Sequence, residues 1–398
     1  MHENTFWRER LQPFTVKSNV VATQQVASTL LPFALLWLSY PFLAEISLYF
    51  VIPLAFAISL FILRSFVLMH DCGHGSLFES KRANQIAGFI FGVVTGMPQF
   101  VWSKNHTYHH NTNGDWVKYG GVFNIISTER YAQLSEKERR RYWLFRQPLV
   151  LIPAGFFYVL FNPRFNWIAG NVTMLFKILR PLLSLNFKEA ISTAKKWETK
   201  YWKGKKDYRH MTYNNVVLLS IWFLMSQAIG AGAFFLLYVV TTSLAGSIGI
   251  LIFTIQHNFE DAYATDTANV NHYRAALEGT SMLVLPKVLN WFTADIAYHH
   301  LHHLSIAVPN YQLAACHKKY ESLFADVKRV YCRDLLGTFN YQLWDPEEQK
   351  VVAKDAWNKR ASAPLTAVKV AADGTAVSES FVPPAPRDQK PPAPSQEL

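Results

Sequence analysis

Charged residues are scarce in this sequence of 398 residues, where Asp, Glu, Lys and Arg together make up 17%. A soluble domain carries about 25%, so the deficit disfavours a fully solvated protein. Half of the residues are hydrophobic and 15% are aromatic. The formal net charge is +11, which suits either nucleic acid or the anionic face of a membrane. The long uncharged runs described below favour the membrane and argue against nucleic acid.

Cysteine is also rare, since the chain has only Cys72, Cys316 and Cys332. Their odd number and wide spacing give no sign of a disulfide framework or of a paired-cysteine metal site, and we expect reduced cytosolic thiols. The first residues include Arg8 and Glu9 ahead of any apolar run, which does not resemble a cleavable signal peptide. No internal repeat is visible.

Two long apolar regions predict membrane-spanning helices. The first covers residues 27–69 and is interrupted only near Pro41 and Glu45. Each half is close to the ~20 residues that a spanning helix needs, so the pattern predicts a helical hairpin. Arg64 comes near the end of the second helix, where its long side chain is expected to snorkel to the interface.

The second region covers residues 216–256 and contains no Asp, Glu, Lys or Arg over 256 − 216 + 1 = 41 residues. That length predicts two further spans, with a turn at Gly230 and Gly232. Four spanning helices in two hairpins therefore follow from length and composition.

Basic residues predict the orientation of these helices. Neither hairpin tip, near Glu45 or near Gly230, has a Lys or Arg close by, whereas the segment between the hairpins is rich in both. The positive-inside rule therefore places this segment and both termini in the cytoplasm. The basic residues of the segment include Lys137, Arg139, Arg140, Arg141, Lys195, Lys196, Lys200, Lys203, Lys205, Lys206 and Arg209.

Three shorter apolar stretches are not expected to span. Residues 83–101 are interrupted by glycines and Pro98, which predicts a re-entrant or interfacial segment. Residues 149–161 are too short and 281–291 contain Lys287, so both are expected to lie along the membrane surface. The predicted domains are a cytosolic N-terminal segment (1–26), a membrane and cap domain (27–358) and a disordered tail rich in Pro and Ala (359–398).

Eight of the fourteen histidines fall into three clusters. The first is an H-x3-H pair, and the other two are H-x2-H-H. Histidines three or four residues apart lie on one face of a helix, and the adjacent pair of each H-x2-H-H cluster is able to reach two nearby ions. Chance predicts about 0.017 H-x2-H-H patterns in this chain, from the template-counting logic of sequence reading. The clusters are His70 and His74, then His106, His109 and His110, then His299, His302 and His303.

The predicted topology places all three clusters on one side of the membrane. His70 lies six residues after Arg64, and His257 follows directly on the second uncharged region. A catalytic zinc needs about three protein ligands, so eight or nine imidazoles indicate two metals. Imidazole suits several metals, but an apolar substrate at the bilayer edge offers only unreactive C–H bonds. That chemistry requires O₂ activation, for which iron is the simplest choice.

The sequences of the three clusters resemble the three histidine boxes of the membrane fatty acid desaturase family. The sequence HDCGHGSLF from His70 resembles the first box of acyl-lipid desaturases that act toward the methyl end, the Δ12/ω6 and ω3 types. The sequences QHNFED from Gln256, HHLHHLS from His299 and IAVPNY from Ile306 resemble bacterial members. The likeness covers roughly residues 30–315, and its wording favours the Δ12/ω6 type.

The resemblance implies an all-α integral membrane fold with four transmembrane helices and a cytosolic, histidine-rich di-iron cap. It also implies O₂-dependent formation of a cis double bond in a lipid acyl chain. Electrons would come from ferredoxin or from cytochrome b5 with its reductase. No His-Pro-Gly-Gly haem motif is present, so we expect no fused cytochrome domain. The implied metal ligands are His70, His74, His106, His109, His110, His299, His302 and His303, with His257 as the ninth.

Several neighbouring residues are candidates for supporting roles. His300 is expected to point away from the metals, and His2, His210, His272 and His317 lack a cluster. Trp102, Trp116 and Trp291 are candidates to line an acyl tunnel, although packing is the simpler role for each. Carboxylates that would hold the second ring nitrogen of a ligand are Asp71, Asp115, Glu260, Asp261 and Asp295.

Two other functions fit parts of the sequence. A di-iron hydroxylase or ketolase of the same superfamily would share the histidine boxes, and product analysis distinguishes it from a desaturase. A membrane metal transporter would place its polar ligands near the bilayer midplane. The clusters here lie beyond the predicted helix ends, which argues against transport.

Overall fold

The computed structural model of the protein describes residues 3–118, 125–355 and 357. This part of the chain is mostly helical, as predicted. Its helices are α1 (Glu3–Leu11), α2 (Asn19–Ile46), α3 (Val51–His74), α4 (Lys81–Thr95), α5 (Gln99–Asn111), α6 (Thr128–Gln133), α7 (Glu136–Leu144), α8 (Leu151–Gly155), α9 (Asn162–Leu183), α10 (Phe187–Lys196), α11 (Lys205–Ile229), α12 (Ala231–His257), α13 (His272–Leu277), α14 (Lys287–Phe292), α15 (His299–Leu304) and α16 (Asn310–Lys319). The predicted tail, residues 359–398, lies outside the described residues.

Short strands accompany the helices. They are β1 (Ile126–Ser127), β2 (Met282–Val284), β3 (Arg329–Tyr331), β4 (Tyr341–Asp345) and β5 (Lys350–Ala353). One sheet has the order β1-β4-β5, in which β4 pairs in parallel with β1 and antiparallel with β5. A second sheet pairs β2 with β3 in parallel. Strand β2 precedes α15 and β3 follows it, so their pairing joins the two segments that flank the helix with the third histidine cluster.

The first hairpin forms as predicted, with α2 and α3 joined by a short connection over residues 47–50. Helix α2 begins at Asn19, eight residues before the apolar run, because the Ser18 hydroxyl caps it by accepting from the Val21 N–H. Leu35, Leu38 and Phe42 on α2 are each more than 60% exposed. Such large apolar side chains outside the core indicate a lipid-facing surface.

Arg64 does not reach the interface, contrary to the snorkelling prediction. It is only 2% exposed, and its Nε donates to the Thr29 hydroxyl at 2.9 Å. A hydrogen-bonding partner on α2 removes the need for the side chain to reach water, so Arg64 stays inside the helix bundle.

The second hairpin pairs α11 with α12 across Gly230, which has the positive φ of +84° that glycine tolerates. Four segments of the described residues are long and apolar enough to span, namely Asn19–Ile46, Leu48–His74, Pro148–Leu183 and Ala231–His257. Of the two spans predicted in residues 216–256, only α12 is among these four, since charged and polar residues, including Asn214 and Asn215, occupy the first half of α11.

Residues 149–161 belong to a longer helical stretch than the sequence suggests, and Pro148–Leu183 is long and apolar enough to span. The helical stretch continues through a π-helical turn at Phe156–Phe161 into α9. Pro163 has no N–H to donate, and the Val159 carbonyl, four residues earlier, accepts from the Arg164 guanidinium at 3.2 Å. Arg164 is turned inward, where its guanidinium donates to the side-chain oxygens of Asn214 and Asn215.

Helices α4 and α5 bend by 99° at the break between them. Gly96, with φ +77°, ends α4, and Pro98 precedes α5. The bend brings the second histidine cluster, on α5, back to the end of α3. The first two clusters then meet, which agrees with the re-entrant or interfacial segment predicted from the glycines and Pro98.

Candidate metal centre

The first histidine pair occupies the last turn of α3. His70 and His74 lie four residues apart on one face, and their Nε2 atoms are 3.3 Å apart. Gly75 ends the helix with φ +70°, and its N–H bonds the carbonyls of Asp71 and Cys72. A left-handed cap of this kind favours glycine, so the glycine that follows His74 fixes where the helix ends.

The second cluster lies toward the end of α5. His106 and His110 are one turn apart, with their Nε2 atoms at 3.0 Å. His109 lies between them in sequence and its ring points toward a different set of neighbours, those of His257 and His303. Successive residues on a helix differ in direction by about 100°, which separates His109 from His110.

The third cluster forms the short helix α15. The Nε2 atoms of His299 and His303 are 3.0 Å apart, and that of His302 lies 3.0 Å from His110. His257, the last residue of α12, faces this helix with its Nε2 atom 2.9 Å from that of His299.

All nine histidines predicted as ligands converge in two groups. In each group the ligand atoms lie within 4.8 Å of one another. The first group is His70, His74, His106, His110 and His302, and the second is His109, His257, His299 and His303.

The nitrogen separations fit metal coordination. Two nitrogens bound to one ion at about 2.1 Å lie about 3.0 Å apart at a right angle and about 3.4 Å apart at the tetrahedral angle. The Nε2 pairs given above span 2.9 to 3.3 Å. A ring nitrogen carries at most one proton, so it cannot donate to several converging neighbours. A cation among the nitrogens would satisfy all of their lone pairs together.

The surroundings keep these imidazoles neutral. Burial lowers the pKa of His299, His302 and His303 well below the ordinary value, and neighbouring imidazoles lower the pKa further. The neutral ring is the form that binds a metal. The site is therefore in the protonation state that a metal requires.

Asp71 contacts the first histidine group from outside, through His70. Its carboxylate lies 2.9 Å from His70 Nδ1 and also accepts the backbone N–H of Asn310 at 3.1 Å. A proton on Nδ1 that donates to this carboxylate leaves the lone pair of Nε2 facing the group. Asp71 thus occupies the supporting position that the sequence suggested for it.

The other suggested carboxylates make different contacts. Glu260 and Asp261 pair with Lys328 and Lys350 at 3.6 and 2.7 Å. Asp115 accepts the backbone N–H groups of Val117 and Lys118.

His300 points away from both groups. Its Nε2 lies 3.1 Å from Nδ1 of His317, and its ring contacts Phe324. Burial, followed by the nearby imidazole of His317, lowers the pKa of His300 to about 3. The structure therefore separates His300 from its three neighbours, in the direction that the helical register predicts.

Two aromatic side chains lie against the histidine rings. Trp102 stacks on His106 with ring centroids 4.7 Å apart, and its indole N–H donates to the Tyr158 hydroxyl. Phe253 contacts His109 and His257 at 4.9 and 5.0 Å. Sequence reasoning missed Phe253, although its position one helical turn before His257 was a usable signal.

The arrangement is able to hold two metal ions side by side. Nine imidazole donors give each ion at least four protein ligands. Imidazole accepts several transition metals, so the donor set is suited to a pair of transition-metal ions without choosing the element.

Comparison with known proteins gives consistent matches. A family model described as fatty acid desaturase matches residues 44–334. A fatty acid desaturase of Bacillus subtilis is 30% identical over 344 residues, which cover 86% of this chain and 87% of that protein.

Shorter matches cover about a quarter of the chain. A chloroplastic sn-2 acyl-lipid omega-3 desaturase (ferredoxin) of Arabidopsis thaliana is 30% identical over 92 residues, which are 23% of this chain and 20% of that protein. An sn-1 acyl-lipid omega-3 desaturase (ferredoxin) of Synechocystis is 31% identical over 93 residues, which are 23% and 25% of the two chains.

Proposed function

Since the chain belongs to the fatty acid desaturase family, we propose that it is an acyl-lipid desaturase of the Δ12/ω6 type that uses two iron ions and O₂. The family and its relatives make it a membrane desaturase enzyme. Our proposal adds the metal and its ligands, the position of the double bond, the electron donor and the side of the membrane on which the site lies.

The observation that carries the proposal is the convergence of nine histidines into groups of five and four. We assign His70, His74, His106, His110 and His302 to one iron, and His109, His257, His299 and His303 to the other. Bound iron would activate O₂, and O₂ would accept two electrons from the external donor and two with the two hydrogens of the acyl chain, leaving a double bond and water. The histidines act as ligands and take no part as acids or bases.

The remaining residues of the site would position the substrate and exclude water. Trp102 and Phe253 place apolar surface directly against the two histidine groups. A saturated chain offers no polar handle, so its register would be set by the shape of apolar surfaces such as these. We therefore expect these two rings to line the path of the acyl chain.

The Δ12/ω6 assignment depends on the amino-acid sequences of the first and third histidine boxes. The omega-3 relatives favour an ω3 enzyme as the second candidate, because both types act toward the methyl end. The names of those two relatives include ferredoxin, so ferredoxin is the first donor to test and cytochrome b5 with its reductase is the second.

Product analysis tests the activity. The chain would be expressed in a host whose lipids contain only saturated and monounsaturated acyl chains, and the products identified by chromatography and mass spectrometry. A Δ12/ω6 enzyme converts oleoyl and palmitoleoyl chains into dienes, whereas an ω3 enzyme acts only when dienes are supplied. Hydroxylated or ketonised products alone would contradict desaturation and favour the related hydroxylase or ketolase.

Metal analysis tests the centre. Active protein made in iron-supplemented cells should contain two irons per chain, as the two histidine groups require. One metal per chain in a fully active sample, or none, would refute the proposed centre. A metal transporter would instead accumulate a metal across vesicles in a transport assay without oxidising lipid.

Cysteine labelling tests the sidedness that the basic residues predict. In a background without Cys72, Cys316 and Cys332, single cysteines near Glu45 and Gly230 should react with an impermeant reagent from outside. A cysteine at Arg140 should react only after the membrane is opened. Labelling near Asp115 from outside would contradict a cytoplasmic site.

A further inference from the structure

Arg64 connects the first histidine cluster to the segment that leads into the third. It lies on α3, six residues before His70, which is roughly 9 Å along the helix. Its side chain is 2% exposed, and its Nε donates to the Thr29 hydroxyl at 2.9 Å. A buried guanidinium persists only where partners satisfy it, so its other contacts are informative.

Those contacts are made to Trp291 on α14. The guanidinium donates to the Trp291 backbone carbonyl, and its carbon lies 3.8 Å from the centroid of the Trp291 ring. The same carbonyl accepts the Ala294 N–H at 3.1 Å. Arg64 is therefore attached to the peptide group that closes the turn after α14.

That turn has an unfavourable backbone. Ala294 and Asp295 have φ values of +44° and +55°, in the left-handed region that side chains with a Cβ disfavour. Two consecutive residues in this region persist only if their surroundings hold them. Burial raises the pKa of Asp295, and the positive charge of Arg64 opposes that rise.

The turn leads directly into the third cluster. The Asp295 carbonyl accepts the Tyr298 N–H at 3.0 Å, and the Tyr298 carbonyl accepts the His302 N–H at 3.2 Å. His299 begins α15 four residues after Asp295. A change in the turn would therefore move the three histidines of α15 that belong to the metal groups, His299, His302 and His303.

We propose that Arg64 is a positioning residue that sets the third histidine cluster against the first and so fixes the geometry of both metal groups. Helix α3 carries His70 and His74, whereas α15 supplies His302 to the first group and His299 and His303 to the second. The inference rests on the proposed function, since it concerns the same two iron sites.

The experiment compares iron retention in folded, detergent-solubilised protein. Arg64→Gln removes the charge and leaves two N–H donors on one nitrogen in place of five on three nitrogens. Outer residues that orient metal ligands contribute about 10- to 100-fold in metal affinity or activity, so we expect at least a tenfold loss of iron affinity. The value of kcat should fall with KM nearly unchanged. Arg64→Lys, which keeps the charge without the planar fork, should recover part of the loss.

Phe61→Leu is the matched control. Phe61 lies one turn before Arg64 and contacts the rings of Trp291 and Phe292 edge-on, but it does not bond the turn. We expect a lower melting temperature and wild-type iron affinity. An equal loss of iron in Phe61→Leu would overturn the inference, because packing of α14 on α3 would then explain both variants. Wild-type iron affinity in Arg64→Gln would overturn it as well.

A suppressor gives an independent test. Glycine adopts positive φ without strain, so Ala294→Gly makes the turn depend less on Arg64. Added to Arg64→Gln, or to Arg64→Lys if the first variant does not fold, Ala294→Gly should restore iron affinity. Absence of any restoration would contradict the role of the turn. His299→Ala is measured in parallel, and if it too retains both irons, the proposed metal centre fails rather than the role of Arg64.

Discussion

The carboxylate of Asp71 offers the sharpest test of how the first metal group is held, through the substitution Asp71→Asn. Asp71 is 2% exposed and accepts from two donors, His70 Nδ1 at 2.9 Å and the Asn310 N–H at 3.1 Å. Asparagine has nearly the same shape but only one oxygen. If that oxygen keeps the Asn310 N–H, the amide NH₂ faces His70 and donates to it.

The consequence is a change of tautomer. A donor opposite Nδ1 favours the His70 form that carries its proton on Nε2, and a protonated nitrogen cannot bind a metal. Loss of such an outer partner costs about 10- to 100-fold in metal affinity, which corresponds to about 1.4 to 2.8 kcal/mol. Asp71→Ala would add the cost of an unsatisfied buried N–H at Asn310, about 1 to 3 kcal/mol of stability. The asparagine variant therefore isolates the effect on the metal.

The assay is a competition titration of iron against a chelator, with the melting temperature recorded on the same samples. Asp71→Asn should lose affinity for one of the two irons while its melting temperature without metal stays close to that of the wild type. Asp261→Asn is the control, because this carboxylate pairs with Lys350 at 2.7 Å and its side chain is 64% exposed. If Asp71→Asn binds both irons as tightly as the wild type, the tautomer argument is refuted.

Two further predictions follow from matched pairs of residues. His257→Ala should lower iron content and abolish desaturation, because it removes one of four nitrogens from its group. His300→Ala should retain iron and activity, since His300 bonds His317 instead. Iron analysis and product assays check both variants, and full iron content in His257→Ala would exclude His257 as a ligand. Gly155→Ala should reduce the yield of folded protein, since the added Cβ would lie 2.2 Å from the Ser243 carbonyl oxygen. In Gly232→Ala the added Cβ meets nothing within 4 Å, so this control should be neutral. Gel filtration in detergent measures both yields, and equal yields would show that α8 and α12 are not in close contact.

The sequence predicted the features that depend on local periodicity and on length. The helical spacing of the histidines predicted which side chains would share a face, and the two long apolar regions predicted both helical hairpins, although α11 is not among the segments long and apolar enough to span. The continuation of the helix beyond Phe161 was missed because Pro163 and Arg164 look like a break. The inward direction of Arg164 depends on partners more than 30 residues away, Asn214 and Asn215 on α11, which a local pattern cannot reveal.

Long-range pairings were beyond sequence reasoning for the same reason. Asp71 was a candidate support, but nothing near it in sequence indicated that the backbone of Asn310, 239 residues later, would share its carboxylate. Strand β1 is two residues long and pairs with β4, whose partners are more than 200 residues away. Alternation of side chains cannot be recognised over two residues. The buried position of Arg64 likewise depends on Thr29 and Trp291, which lie on other helices.

Adjacent histidines are divided between the two groups, so a movement of one helix changes the geometry of both candidate metal sites. Helix α5 sends His110 to one group and His109 to the other, and α15 does the same with His302 and His303. Rotating either helix would draw a nitrogen toward one ion while withdrawing its neighbour from the other. An ion bound in the first group would therefore restrict the rotation of both helices and leave the four nitrogens of the second group in position. Binding of the first ion would in this way favour binding of the second.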